Sequence, residues 1–339
     1  MSSASQGLEG GLPGLKLRTK IGKSFLGRDK SPVQVCTRRA ILGRLDGAVV
    51  VVTGCGRGFG RGIALALGNE GAKVVGVALE ADELASLSRV VSGRGQNILT
   101  IPTDLSKPEQ IERMKNEALK AYGRVDAVYN NAAVSLWKTM EETEVEEWDL
   151  TLDVNLRAYF LVAKGFLPSM KAHKGGSIVN VTSTSAEQGF LAEIAYCPSK
   201  YAIEGLTQCM ALELRPYNIA VNSLNVSAVE GKQLKPTGLT LEEAERLPES
   251  VKGKYVDYDD LANAYAGAWA FLALQRGNGV TGQRFRTRDL AAMLKSDGEE
   301  SVLKKFKGKL TKATYVPIEF PKVSRYQTPG GGFKEIAYD

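Results

Sequence analysis

The sequence predicts an α/β fold, a doubly wound parallel β-sheet with helices on both faces and with N- and C-terminal extensions. Three observations carry this. From Leu45 onward, short Val- and Ile-rich runs alternate with longer segments of helical period. A glycine-rich turn, Thr53-Gly54-Cys55-Gly56-Arg57-Gly58-Phe59-Gly60, joins the first run to the first helical segment. Composition changes at both ends of this region. Strands alternating with helices imply parallel pairing through crossover helices, and continuous apolar runs suit strands covered on both faces.

Taken in order, 48–52 reads as a buried strand, 61–70 as a helix and 73–79 as a second strand. A helix over 82–91, a strand over 97–102 and a helix over 108–122 follow, with Ser106 placed to cap the last. Then come a strand at 125–130, one long helix at 144–171, a strand at 177–182, a second long helix at 194–215 and a strand at 219–226. A helix at 259–275 and a short strand near 284–285 complete the sheet. Residues 290–339, Lys-rich with Pro and Gly near the end, read as an extended tail. The expected division is an arm over 1–44, one domain over 45–287 and a Lys-rich tail over 288–339. Ligands of such a sheet lie beyond the carboxyl ends of its strands.

The 339 residues carry 44 Lys+Arg against 38 Asp+Glu, a formal net charge of +6. Residues 1–44 hold nine basic and two acidic side chains, so the rest of the chain is close to neutral. The positive charge belongs to the arm and not to a nucleic-acid-binding face. The arm reads as a solvated flexible segment or as an organelle transit segment, which is rich in Arg and Ser and poor in acids. The expected location is cytoplasmic, or organellar if 1–44 directs transit. Within the arm, Gly22-Lys23-Ser24 imitates the end of a phosphate-binding loop, but Leu17 stands where its first glycine belongs and no strand precedes it.

With one histidine, His173, a His-ligated metal cluster cannot be assembled, and no metal is expected. Cys36, Cys55, Cys197 and Cys209 form no Cys-x-x-Cys pair, so reduced thiols are expected. The uncharged stretch 262–274 is too short to span a bilayer, and no secretory apolar region stands near the start, so a soluble chain is expected.

Gly54, Gly58 and Gly60 leave the backbone bare where a tight turn and a close phosphate approach are needed. The helix that follows directs unpaired N–H groups and its positive dipole end at a pyrophosphate. The spacing G-x-x-x-G-x-G departs from the general G-x-G-x-x-G pattern. A glycine-rich turn alone also serves tight packing; the strand–turn–helix setting is what points to a nucleotide. At the end of the second strand an acid favours a free ribose 2′-hydroxyl, and a cation favours a 2′-phosphate. The chain has Ala78-Leu79-Glu80 there, with Arg57 in the turn. NADP(H) is the expected cofactor, with NAD the alternative that an inward-facing Glu80 would support.

Tyr196 and Lys200 stand four apart and share one face if helical. Pro198 is tolerated only in a first turn, so the helix starts close to Tyr196. An ammonium near a phenol stabilises the phenolate: at an effective dielectric near 20, a unit charge about 5 Å away contributes roughly 3 kcal/mol, about two pKa units. Tyrosine then approaches the range in which it exchanges a proton with an alcohol or carbonyl. Ser183, thirteen residues earlier at a strand's carboxyl end, is placed to hold the substrate oxygen. Either signal alone is more often a surface pair or a polar turn. Together, on these elements and after the glycine turn, they form a candidate catalytic site.

At this point the chain resembles the short-chain dehydrogenase/reductases in their single-domain, extended Rossmann form. The matching motifs are Thr53–Gly60, Asp104-Leu105 after the third strand, Asn130-Asn131-Ala132-Ala133 after the fourth, Asn155 in the long helix over 144–171, Ser183, and Tyr196 with Lys200. The resemblance covers about 45–287. It implies that Tyr196 is the general acid/base, that Ser183 holds the substrate oxygen, and that Lys200 binds the nicotinamide ribose and lowers the tyrosine pKa. It also implies that Asn155 helps keep a water in the proton relay. Asp104 and Leu105 would border the adenine, and Asn131 and Ala132 would lie along the cofactor, with Val229 at the carboxamide. Thr53, Gly54, Arg57, Gly58, Phe59 and Gly60 complete the cofactor set, and an arginine at position 57 is what NADP-preferring members tend to carry.

The chain departs from the family at Val226-Ser227, where Pro-Gly is usual, at Gly231, where a Thr is usual, and at Arg284-Phe285-Arg286-Thr287, where the family runs toward Asp-Gly-Gly. The proton-transfer group is intact. The implied activity is hydride transfer between NADP(H) and a carbonyl or secondary alcohol, the partner being a small molecule. Leu136, Trp137 and Phe190 are candidates for an apolar substrate wall, or for core or subunit contacts. The competing expectation is a catalytically silent nucleotide-binding or structural subunit. The family forms homodimers or homotetramers through its two long helices, here near 144–171 and 194–215.

Overall fold

The computed structural model describes residues 43–230, 257–312, 321–327 and 333–337. Most of the basic arm, Gly231 and the bulk of the loop between 229 and 258 lie outside them. Strands β1 (Val49–Thr53), β2 (Lys73–Ala78), β3 (Ile98–Pro102), β4 (Ala127–Asn130), β5 (Gly176–Thr182), β6 (Ile219–Asn225) and β7 (Arg284–Arg286) form one sheet in the order β3-β2-β1-β4-β5-β6-β7. Every pairing is parallel. Between them run α1 (Gly58–Asn69), α2 (Ala81–Gly93), α3 (Pro108–Tyr122), α4 (Val145–Leu152), α5 (Ala158–Ala172), α6 (Tyr196–Leu214) and α7 (Tyr258–Ala273), with α8 (Thr287–Phe306) after β7.

The two-residue alternation of strand side chains splits the apolar runs between two cores. Val50, Val52, Val74, Ile98, Val179 and Leu224 face α1, α2, α7 and α8. Val49, Val51, Val75, Leu99, Ile178 and Val221 face α3, α5 and α6. All five residues of β1 are buried, as a central strand covered on both sides must be. The strand order turns back between β1 and β4, which opens a crevice at their carboxyl ends.

Three expectations are corrected. The long helix read over 144–171 is broken by a π turn, Asp153–Arg157, between α4 and α5. Lys107, not Ser106, is the N-cap residue of α3, because the Ser106 hydroxyl donates to Asp104 instead.

The stretch read as an extended tail begins as helix α8, bent at Gly298 (φ +78°), with Leu290 and Val302 buried on the α7 side of the sheet. Alternating charges hid those two anchors. Past α8 the chain returns along β7. The Thr311 N–H donates to the Gly282 carbonyl (2.8 Å), and the Arg284 N–H donates to the Thr311 hydroxyl (3.2 Å). A separate antiparallel pair, β8 (Val323–Gln327) and β9 (Phe333–Ala337), follows. Among the described residues no helix is long and apolar enough to cross a membrane.

Candidate active site

The cofactor side of the crevice is built from backbone. Gly54 has φ +66°, and a Cβ there would lie 2.6 Å from the Ala132 Cα; a Cβ on Gly60 would lie 2.2 Å from the Gly54 carbonyl oxygen. Only glycine lets the turn, α1 and the loop after β4 meet this closely. Gly58 (φ +61°) faces open space, with nothing within 4 Å of where its Cβ would be. Helix α1 starts beside that hollow without a side-chain cap or an acidic residue in its first turn. A positive dipole end without a side-chain cap or an acid in its first turn fits a diphosphate.

Thr53 is nearly fully buried, and its hydroxyl is spent inside the protein. It donates to the Tyr129 carbonyl (3.3 Å) and accepts from the N–H groups of Asn131 (2.9 Å) and Ala132 (3.2 Å). The Asn131 amide donates to the Thr53 and Gly54 carbonyls (3.0 and 3.2 Å). These residues lock the glycine turn to the end of β4 and shape the crevice floor. Phe59 and Val229 are half-buried against the α1/α7 core. The Tyr265 hydroxyl donates to the Ala228 carbonyl (2.9 Å), which fixes the start of the loop carrying Val229. Asp104 is turned back on its own loop, where it accepts from the Ser106 N–H (2.9 Å) and hydroxyl (2.7 Å), and Leu105 is buried in the second core.

Arg57 lies beside the turn, ion-paired to Glu83 of α2 at 2.6 Å. Glu83 comes this close because residue 56 is glycine: a Cβ there would lie 2.4 Å from a Glu83 carboxylate oxygen. Glu80 is an exposed N-cap residue of α2 and not an inward-facing acid. The sequence reading missed Glu83, and no spacing rule links positions 57 and 83.

The other side is built from buried side chains. Tyr196 opens α6 with Pro198 in its first turn, so Lys200 follows on the same face. The Lys200 amine, 1% exposed, lies 5.3 Å from the Tyr196 ring centroid and donates to the Val181 carbonyl (3.1 Å). The Tyr159 hydroxyl donates to that same carbonyl (3.2 Å). Ser183 caps the short turn Thr184–Ala186 by accepting from the Ser185 N–H (3.1 Å), and its hydroxyl acts against the burial that raises the Tyr196 phenol.

Asn155 sits in the π turn, a helix irregularity frequent at functional sites. Its carbonyl oxygen accepts from the Val134 N–H (2.7 Å), while its amide donates to the Val134 carbonyl (2.9 Å) and the Ser199 hydroxyl (3.0 Å). Ser199 donates to the Tyr196 carbonyl (2.6 Å), which ties the π turn to the first turn of α6.

Arg284, seen in the sequence only as a departure, reaches the Ser183 carbonyl (3.0 Å) and pairs with Glu204 and Glu187 (2.9 Å each). Lys138 and Glu193 form a parallel bridge that brings the Trp137 and Phe190 segments alongside each other.

The electrostatics correct one expectation. The Tyr196 phenol is pushed up from its ordinary range, first by burial and then by the Glu193 carboxylate. Burial also pulls Lys200 down to about 7, opposed by Glu204. The desolvation that brings amine and phenol together penalises both charged forms, and this outweighs their mutual attraction.

A glycine crevice at the strand reversal facing a Ser–Tyr–Lys group defines a dinucleotide-dependent oxidoreductase. The comparisons narrow this. A family model described as short chain dehydrogenase matches residues 48–240. L-Xylulose reductase of Homo sapiens is 35% identical over 243 residues, 70% of this chain and 93% of that protein. NAD-dependent glycerol dehydrogenase of Listeria innocua is 35% identical over 181 residues, 53% of this chain and 70% of that protein. The crystal structure of a metagenomic short-chain oxidoreductase in complex with NADP matches with a TM-score of 0.59 at 29% identity, over 72% of this chain and 98% of that one. The chain belongs to the short-chain dehydrogenase/reductase family and is an NAD(P)-dependent oxidoreductase.

Proposed function

We propose that this chain transfers hydride between NADP(H) and a small carbonyl or secondary-alcohol substrate, with Tyr196 as general acid/base. The observation that carries this is the buried Lys200 amine 5.3 Å from the Tyr196 ring centroid, one helical turn along α6, with Ser183 following directly on the carboxyl end of β5. Ser183 orients the substrate oxygen, Asn155 and Lys200 hold the groups around the phenol, and the glycine turn with α1 takes the diphosphate. When bound, the cofactor supplies the hydride and, oxidised, a positive charge. The chain's own groups keep Tyr196 protonated, which suits proton donation to a carbonyl. Arg57 supports NADP(H), since its guanidinium lies beside the turn where a 2′-phosphate needs a cation.

Replacing Tyr196 with Phe should lower turnover by at least about a hundredfold, the low end of what a positioned acid/base contributes. NADPH binding, followed by cofactor fluorescence, should persist. A carbonyl panel read by NADPH consumption provides the assay, and undiminished turnover in the variant would refute the role.

A further inference from the structure

Glu193 lies three residues before Tyr196, on the segment that leads into α6, and it belongs to none of the matching motifs. One of its carboxylate oxygens accepts twice, from the Ser185 hydroxyl at 2.8 Å and from the Cys197 thiol at 3.3 Å. An ionised carboxylate only accepts, so the Ser185 proton is fixed toward Glu193. The Ser185 oxygen is then free to accept the Ser183 proton, across 3.2 Å, while the Ser185 N–H donates to the Ser183 oxygen at 3.1 Å. Ser183, Ser185 and Glu193 form one directed line of hydrogen bonds that ends in the carboxylate, and the line starts beside the Tyr196 phenol.

Among the described residues, Lys200 and Cys197 approach the phenol from α6, Tyr159 from α5 and Glu193 from the preceding segment, while Arg284 of β7 reaches the Ser183 carbonyl already paired with Glu187 and Glu204. The cation nearest Glu193 along its bridging segment, Lys138, is committed to Glu147 at 2.6 Å. Cys197, pushed up to about 12 by burial, stays neutral. Glu193 is thus a negative group that opposes ionisation of Tyr196, and the Lys200 amine stands 5.3 Å from the same ring.

We infer that Glu193 is a positioning residue of this site: through Ser185 it orients the Ser183 hydroxyl, and it sets a negative charge against the Tyr196 phenolate. This rests on the proposed role of Tyr196 for its catalytic meaning, but not for its test. The enzyme, with labelled tyrosine and saturating NADP+, is titrated by carbon-13 NMR at the phenol carbon. The Tyr196 signal is assigned by its loss in Tyr196→Phe.

Glu193→Gln keeps an acceptor for Ser185 and removes the charge. The Tyr196 midpoint should fall by about one pH unit, a tenfold gain in phenolate below the midpoint, with circular dichroism unchanged. Ser185→Ala keeps the charge and breaks the line, so the midpoint should stay with the wild type. Glu193→Asp draws the charge back by one methylene and should give a smaller fall, which serves if the Gln variant does not fold. A midpoint that stays in place in both Glu193 variants overturns the inference. Turnover of Tyr196→Phe, measured separately, decides the reading it rests on.

Discussion

The two walls of the crevice are made of different material. The wall at β1 and α1 is backbone: open space where a Gly58 side chain would stand, glycines in forced contact at Gly54 and Gly60, and a helix start without a side-chain cap. The wall at β5 and α6 is side chain: Ser183, Tyr196, Lys200 and Asn155, each held by partners from other elements. A backbone wall presents N–H dipoles that do not titrate, so its fit should not depend on pH near neutrality. A side-chain wall holds an amine and a phenol out of water and is therefore sensitive to charge and protonation. The first suits a ligand of constant shape, the second a reaction in which a proton moves.

This contrast can be broken first on the backbone side. Gly54→Ala puts a methyl group 2.6 Å from the Ala132 Cα at a residue with φ +66°. Left-handed strain and overpacking together should cost about 2–4 kcal/mol in urea unfolding and abolish cofactor binding. A variant of wild-type stability would show that the turn has room to shift.

On the side-chain side, Lys200→Met should change the pH dependence of stability. The folded-state pKa of Lys200 is depressed to about 7 from 10.5, so the unfolded chain binds the proton more tightly. The stability lost to this charge is nil above the unfolded pKa and complete below the folded one. Wild-type stability without cofactor should therefore rise from about pH 7 to about pH 10.5, and the Met variant should rise less. Parallel curves from thermal melts would argue against a desolvated amine.

The smallest effect expected lies where the two kinds of wall meet, at the Arg57–Glu83 pair. Arg57→Ala should weaken NADPH about tenfold while sparing NADH, the scale of one charge-assisted hydrogen bond. Glu83→Gln, which removes the carboxylate charge beside the guanidinium, should tighten NADPH by a few-fold, with the gain screened by salt. Equal shifts for both cofactors would remove Arg57 from the 2′-phosphate reading.

The sequence reading followed the same line of contrast. Strand order of appearance, the glycine turn and the Tyr196–Lys200 face were legible because each is a local pattern: alternation, spacing, or four residues of helix. What escaped it depends on distant meetings. Glu83 finds Arg57 across 26 positions and Arg284 finds Ser183 across 101, and neither leaves a periodic trace. The π turn carrying Asn155 was hidden because the apolar pattern runs on through it. The internal bonds of Thr53 to Tyr129 and Asn131, and of one Asp104 carboxylate oxygen to Ser106, leave no trace in spacing either. Spacing puts Tyr196 and Lys200 on one helix face but carries no sign of how deeply both are buried, and the loss of water around the phenol is what raises it.

The return of the chain past α8 alters what the last strand of the sheet offers to the outside. A terminal strand left open is a template on which another polypeptide can add itself. Here Thr311 already occupies the outward carbonyl of Gly282 and the outward amide of Arg284. The C-terminal residues thereby act as a built-in stopper: extension of the sheet past β7 would first require the protein to release its own plug.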